Sequence, residues 1–414
     1  MRRRRLLVAA TSAMLLVAGL AACSSSGSSG ATTIKVLGYQ PIPQKILDDF
    51  KTQTGITVKA DIHNGGDITQ VLQSRVAARS DVDVLNLTGG AQFNKYATAG
   101  TFVDLTGNKL LNNVKEIGVR PGVVKGKNYG FSMTSYVTGV FYNKDIFQKL
   151  GLSIPTNWDE LMADAAKIKA SGTAPFVFTA ADGWTNQYFY HNAIATWAKE
   201  HPNFIKNLST GEATWKQNTL FVNQGKRFQD IVKDGYLIPG ATSMKGEDGQ
   251  AQFAAGKAAM YLMGTWTLSS LKPSGFQLGM FPLPINDPGQ PTAVASSLSD
   301  NMYAVASWSK KKDAAEKFLA YMATKEVATE YSDANKVAST IKGVTATFSP
   351  YQADSDKMTA NAAPYPTRLG PSVDGSGPNL LGDIVAGVSD ANKAIAGFQS
   401  LQDQDNKTNY YTPN

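Results

Sequence analysis

Val82-Asp83-Val84-Leu85-Asn86-Leu87, closing on Thr88-Gly89-Gly90, is the third of three short strand-like runs near the start of the chain. The first is Ile34-Lys35-Val36-Leu37, and in the second Ile56, Val58, Ala60 and Ile62 alternate with polar residues, the period of a half-buried strand. Helical segments lie between them. Pro41 and Pro43 stand where a helix can begin before Ile46, Leu47 and Phe50 at helical spacing, and Gly55 ends it. Asp67 with Gln70 three residues on has the form of a capping box, and Ile68, Val71, Leu72 and Val76 share one face of the next helix. This βαβαβ order predicts an α/β fold with an open, mostly parallel sheet flanked by helices.

In such sheets ligands bind in the crevice outside the carboxyl ends of the strands. Here those ends are Gly38-Tyr39-Gln40, His63-Asn64-Gly65-Gly66 and Thr88-Gly89-Gly90. Each combines glycine with hydrogen-bonding side chains. Any one of them can be only a turn, but the three together suit a polar ligand held close to backbone.

Further on, Tyr129 to Ser135 and Val137 to Tyr142 read as two strands separated by Tyr136. Pro155-Thr156-Asn157-Trp158-Asp159-Glu160 is a helix start in which Thr156 can cap and Leu161, Ala165 and Ile168 form the apolar face. Pro175-Phe176-Val177-Phe178 returns as a strand, and an aromatic-rich helical stretch runs from about Trp184 to Tyr236. A strand at Met302 to Ala306 and a helix from Asp313 to Met322 return to the first type of unit.

The 414 residues are too many for one compact core, so two domains are expected. Arg2 to Arg5 followed by the uncharged 17-residue run Leu6 to Ala22 reads as a signal peptide. Leu20-Ala21-Ala22-Cys23 resembles the lipobox of bacterial lipoproteins, which implies acylation at Cys23, and Ser24 to Gly30 reads as a flexible tether. The protein is thus expected to be extracytoplasmic, held on the cell membrane by lipid. A plain secretory signal or an uncleaved anchor is the alternative. The first 22 residues hold four arginines and no acid, so their removal lowers the formal charge from +7 to +3. Without them no basic stripe remains for nucleic acid. One cysteine excludes an internal disulfide and a Cys-rich zinc or iron–sulfur centre.

Several segments in order resemble the extracellular solute-binding protein family 1, carbohydrate receptors of ABC importers. They are Tyr129-Gly130-Phe131, Gly139 to Phe147, Pro155 to Leu161, Asp182-Gly183-Trp184, Lys233-Asp234-Gly235-Tyr236, Phe253 to Tyr261 and Gly264-Thr265-Trp266. The resemblance implies a two-lobed periplasmic-binding-protein-like fold joined by a hinge, with a sugar or oligosaccharide captured between the lobes and delivered to a membrane permease. The implied division is a signal at 1–22, a tether at 23–31, one lobe at 32–140 plus 293–345, and a second at 141–292 plus 346–414. It also implies a monomer without cofactor or metal, and no enzyme.

A sugar offers apolar C–H faces and a rim of hydroxyls, so its site needs aromatic platforms and side chains that both donate and accept. Trp184 and Trp266 match positions where the family places platforms. Trp158, Trp197, Trp215 and Trp308 read as core. The polar candidates are Tyr39, Gln40, Asn64, Thr88, Ser135 and Tyr136, with Asn301 and Arg368 weaker, Arg368 reading more readily as a surface residue than as a cover of the cleft. Acids common near these strand ends in the family are represented only by Asp61, Asp67 and Asp83.

The rival readings are a surface-anchored glycoside hydrolase and a non-transport surface lipoprotein. A hydrolase needs two carboxylates flanking one bond, and Glu247-Asp248 is better explained as a helix start. There is no H-E-x-x-H and no G-x-S-x-G, Gly256-Lys257 lacks the spacing of a P-loop, and Asp403-x-Asp405 lacks the glycine and closing Glu of a calcium loop.

Overall fold

The structure is a computed structural model that describes residues 32–63, 67–269, 271, 275–291, 293–345, 352–366, 369–408 and 410. The signal peptide, Cys23 and its tether, Asn64, the side chain of Asp67, and Arg368 lie outside the described residues.

The strands in chain order are β1 (Thr33–Gly38), β2 (Thr57–Ile62), β3 (Val84–Leu87), β4 (Val123–Val124), β5 (Lys127–Asn128), β6 (Phe131–Asn143), β7 (Ala174–Val177), β8 (Ala258–Gly264), β9 (Leu278–Phe281), β10 (Ser296–Val305), β11 (Ala338–Ser339) and β12 (Ala363–Pro364). Apart from the β4–β5 ribbon they form one 10-stranded sheet of order β2-β1-β3-β10-β6-β8-β7, with β9 and β11 also on β6 and β12 on β10. The sheet is mixed rather than mostly parallel. β1 pairs in parallel with β2 and β3, and β7 with β8, as the alternating strand–helix order requires. Pairing turns antiparallel where β6 and β10 run side by side through the middle.

The first three helices are α1 (Gln44–Thr54), α2 (Asp67–Ala77) and α3 (Ala91–Thr98). α1 buries Ile46, Leu47 and Phe50 and ends where Gly55, at φ 72°, donates its N–H back to Lys51. After α4 (Glu116–Val119) and β6 come α5 (Lys144–Lys149) and α6 (Trp158–Ala170). The cap of α6 is Asn157, one residue later than expected: its side chain accepts the Glu160 N–H at 3.0 Å. Thr156 instead donates its N–H and hydroxyl to the Glu160 carboxylate, at 2.7 and 2.9 Å. The aromatic stretch divides into α7 (Gly183–Asn186), α8 (Tyr188–Glu200), α9 (Phe204–Thr210) and α10 (Thr219–Lys233), followed by α11 (Gly246–Ala254). Glu247 and Asp248 lie in the first turn of α11, where acids favour a helix N-terminus. The remaining helices are α12 (Lys312–Met322), α13 (Lys325–Asn335), α14 (Gln352–Asn361), α15 (Pro371–Ser376), α16 (Asn379–Val385) and α17 (Ala391–Asn406). Asp405 accepts the Ser372 and Val373 N–H groups of α15 at 2.9 and 3.1 Å, so the Asp403-x-Asp405 pair serves packing between helices.

The chain makes two lobes. One is built on cores holding Ile34, Phe50, Val84, Phe93, Phe318 and Tyr331, the other on cores holding Phe147, Trp215, Phe228, Phe253, Phe281 and Phe398. β6 belongs to both. Its Phe131 and Met133 lie in the first lobe and its Val140 and Phe141 in the second, and all thirteen residues are buried. This corrects the expectation of two strands parted at Tyr136. A strand covered on both faces loses its polar alternation, so nothing in the pattern marks the crossing.

Candidate functional site

β10 crosses beside β6, and the site is built around that crossing. Asn301 interrupts β10 at φ 66°, a left-handed conformation rare outside glycine but tolerated by asparagine. It is fully buried, accepts the Asn86 amide on its carbonyl and donates its own amide to the Tyr331 hydroxyl at 2.9 Å. These bonds engage the Asn301 side chain within the crossing. Asn86 also accepts the Gln40 N–H at 3.3 Å. A Cβ on Gly38 would stand 2.6 Å from the Asn86 Cβ, so the glycine at the end of β1 is what lets Asn86 approach.

Beside Asn301, Asp300 holds the backbone of the first lobe. Its Oδ1 accepts the Gly89 N–H at 2.7 Å and its own neighbour's N–H, from Asn301, at 2.8 Å. Burial raises the pKa of its carboxyl, and these two backbone donors act against that rise. Tyr39 lies next to it with its hydroxyl buried. The contact lowers the Asp300 pKa, yet the hydroxyl reaches hydrogen-bond geometry with no described residue. Thr88 is exposed, with its hydroxyl donating to Gln92 at 2.8 Å.

From the second lobe comes a run of aromatics. Trp184 on α7 is 49% exposed and sits edge-on to Tyr188 of α8, centroids 6.0 Å apart. Tyr188 in turn lies 5.0 Å from Trp266, and Trp266 meets Tyr136 of β6 at 5.4 Å. The Trp266 ring is folded back over Gly264, where any Cβ would stand 1.8 Å from it. The Asp300 charge acts on Tyr188, which places the carboxylate where this aromatic run meets the strand ends of the first lobe. His191, one turn along α8, stacks on Tyr365 at 3.8 Å, and burial lowers its pKa to about 3, so it is neutral at physiological pH.

Tyr39, Gln40, Tyr136, Trp184 and Trp266 are thus gathered around the crossing. Ser135 is buried in β6 between β10 and β11. The Tyr136 hydroxyl accepts from Thr134 at 3.0 Å, and its buried ring packs against Trp266. Of the three acids foreseen, Asp83 is taken up by the Lys35 N–H at 2.9 Å and the Ser309 hydroxyl at 2.6 Å, and Asp61 faces His63 at 2.9 Å. Sequence reasoning missed Asp300, Tyr188, His191 and Tyr365. The only signal for Asp300 was its place beside Asn301 in a polar run leading into a strand. Among the described residues no group of three His, Cys, Asp or Glu could hold a metal ion, and no helix is long and apolar enough to cross a membrane.

The lobes also touch directly. Asp374 of α15 sets its carboxyl against the Ala91 N–H at the start of α3.

Bacterial extracellular solute-binding proteins share a sequence pattern that matches residues 37–329, well over half of the chain. The chain belongs to that family. Among relatives of this solute-binding protein, the multiple sugar-binding protein of Streptococcus mutans is 28% identical over 306 residues, 73% of this chain and 72% of that protein. The diacetylchitobiose binding protein DasA of Streptomyces coelicolor is 27% identical over 282 residues, 66% of this chain and 63% of that one. The structure of RafE in complex with raffinose superposes with a TM-score of 0.73 at 25% identity, covering 90% of this chain and all of that one. A chitin oligosaccharide binding protein has the same fold, with a TM-score of 0.77 at 22% identity over 91% of this chain and 99% of that one.

Proposed function

We propose that this solute-binding protein is the receptor of an ABC importer and captures a neutral sugar or oligosaccharide between its lobes. The observation that carries the reading is the aromatic run Trp184–Tyr188–Trp266–Tyr136 brought against the first lobe's strand ends. Flat rings match the C–H faces of a pyranose, and the Tyr39, Gln40 and Thr88 side chains can meet its hydroxyls. The names of the relatives point the same way. The chain's own part is passive: it binds, closes by bending at the β6 and β10 crossing, and presents the closed form to a permease. Division into lobes near 140, 293 and 345 fits the two sets of cores. Acylation of Cys23 would keep the protein, acting as a monomer, beside that permease.

The test is a panel of mono- and oligosaccharides scored by thermal shift and by chromatography of the sugar afterwards. One binder should stabilise the protein by about 2.7 kcal/mol at 100 times Kd with the sugar recovered intact. Turnover would move the assignment to a glycoside hydrolase. Silence across the panel would overturn it.

A further inference from the structure

We propose that the end of the first lobe opposite the cleft is a membrane-facing surface, whose exposed lysines and arginine rest on the anionic headgroups of the lipid bilayer. The inference goes beyond the receptor reading, and its test needs no sugar.

The topology gathers the charge. β1, β2 and β3 run in parallel, so their first residues share one end of the sheet and their carboxyl ends, where the cleft opens, share the other. β10 runs against β3 and finishes beside its start, Val305 opposite Val84, so the loop after β10 also falls at the first end. Helices that connect parallel strands must return there. The last turn of α1 brings Lys51, and the loop after α2 brings Arg79. α3 ends with Lys95 in its last turn, and the Gly100 carbonyl just beyond it accepts the Ser307 hydroxyl at 2.7 Å. Lys310-Lys311-Lys312 completes the set, with Lys311 Nζ donating to the Thr33 carbonyl at 2.6 Å. Residues far apart in sequence thus meet at the start of β1.

Two observations mark this end as a contact surface. First, its cations outnumber the acids left to meet them. Asp81 is tied to Lys35, and Asp83 is buried, with its carboxylate taken by the Lys35 N–H and the Ser309 hydroxyl. Lys51, Arg79, Lys95, Lys310 and Lys312 are exposed and make no ion pair among the described residues, while Asp313 is the exposed acid beside them. The chain past residue 22 carries only +3, so this end holds an asymmetry of charge rather than its share of a general excess. Second, the chain enters the fold here. β1 starts at Thr33, and Cys23 precedes it by ten residues. Ten residues reach at most about 35 Å, so a lipid on Cys23 keeps this end within reach of the headgroups.

A tether alone leaves the body free to turn, and the patch fixes which face turns down. Each lysine or arginine brought to an anionic surface adds attraction, which fades over a Debye length of about 10 Å at ordinary ionic strength. β1 has six residues, so the cleft end stands about 20 Å further out and opens away from the bilayer. A hold of this kind is weak and screened by salt, which suits a receptor that must tip over to reach its permease.

The experiment uses the mature chain from Cys23 onward, made without the signal so that no lipid is attached. All the core residues lie at or after Ile34, so this chain keeps the whole fold. Co-sedimentation with vesicles of phosphatidylcholine, alone or mixed with phosphatidylglycerol, reads binding across a salt series. Wild type should bind the mixed vesicles at low salt, leave the neutral ones alone, and let go as salt rises. The triple variant Arg79→Gln, Lys310→Gln, Lys312→Gln should weaken that binding by about tenfold or more, with a melting temperature within a few degrees of wild type. Lys51→Gln with Lys95→Gln should weaken it as an independent variant. Lys206→Gln, Lys216→Gln and Lys226→Gln together remove the same charge from the second lobe and should leave it unchanged. Failure of wild type to bind the mixed vesicles at low salt overturns the proposal, and so does equal loss in the two triple variants. A DNA duplex bound as tightly as the mixed vesicles overturns the assignment to lipid. Sugar binding should match wild type in all these variants, so this proposal and the receptor reading fail separately.

Discussion

Trp266 meets Tyr136 edge to face, ring centroids 5.4 Å apart and planes at 84°, which seats a residue that follows β8 on the strand that passes between the lobes. The two tryptophans are therefore not equivalent. Trp184→Ala, at a half-exposed ring, should weaken sugar binding more than tenfold with little change in the melting temperature of the unliganded protein. Trp266→Ala should weaken binding and also cost about 2 kcal/mol of fold stability, because it strips a partner from Tyr136 and Tyr188. Calorimetry and thermal melts on both variants read the difference.

Asp374 sets a pH dependence at the contact between lobes. Burial raises its pKa from 3.8 to about 7; the Ala91 N–H lowers it and Asp405 raises it further. Between about pH 4 and pH 7 the folded protein keeps a proton that the unfolded chain has released, so this group's stabilisation is complete below pH 4 and is lost as pH rises to 7. His191, lowered to about 3, works in the opposite sense over much of that window. The measurement is therefore a difference. The melting temperature of Asp374→Asn minus that of wild type should grow from pH 4.5 to pH 7 and level off above pH 8.

Asn301→Ala should destabilise the fold by about 2–4 kcal/mol, since it leaves the buried Asn86 amide and Tyr331 hydroxyl without their partner and keeps a left-handed backbone on a residue that resists it. Urea unfolding checks this through a lower midpoint at unchanged slope.

Cys23→Ala should release the protein into the medium of the producing cells, where wild type stays with the membrane fraction. Fractionation followed by immunoblotting decides it. Equal retention of both forms would place the anchor elsewhere.

The strand ends of the first lobe were legible because β1, β2 and β3 alternate or bury cleanly and close on glycines that the structure uses, as Gly38 shows against Asn86. The crossing was not. β6 is buried on both faces by two different cores, so Tyr136 looked like a break where it is continuous strand. Ser296 to Asp300 is polar because part of the crossing faces the meeting of the lobes, and a polar run ahead of an apolar strand has the same letters as a loop. The pattern therefore does not mark Asp300, and it shows Asn301 only as a polar residue beside the strand, not as one hydrogen-bonded within the crossing. The cap of α6 slipped by one residue because Thr156, Asn157 and Glu160 satisfy two capping patterns at once.

A crystal structure of the protein with the tightest-binding sugar of the panel tests the account most directly. The account predicts one sugar ring against Trp184 and Trp266, with its hydroxyls met by side chains at the first lobe's strand ends. A sugar bound away from the β6 and β10 crossing, with both tryptophans left untouched, would contradict it.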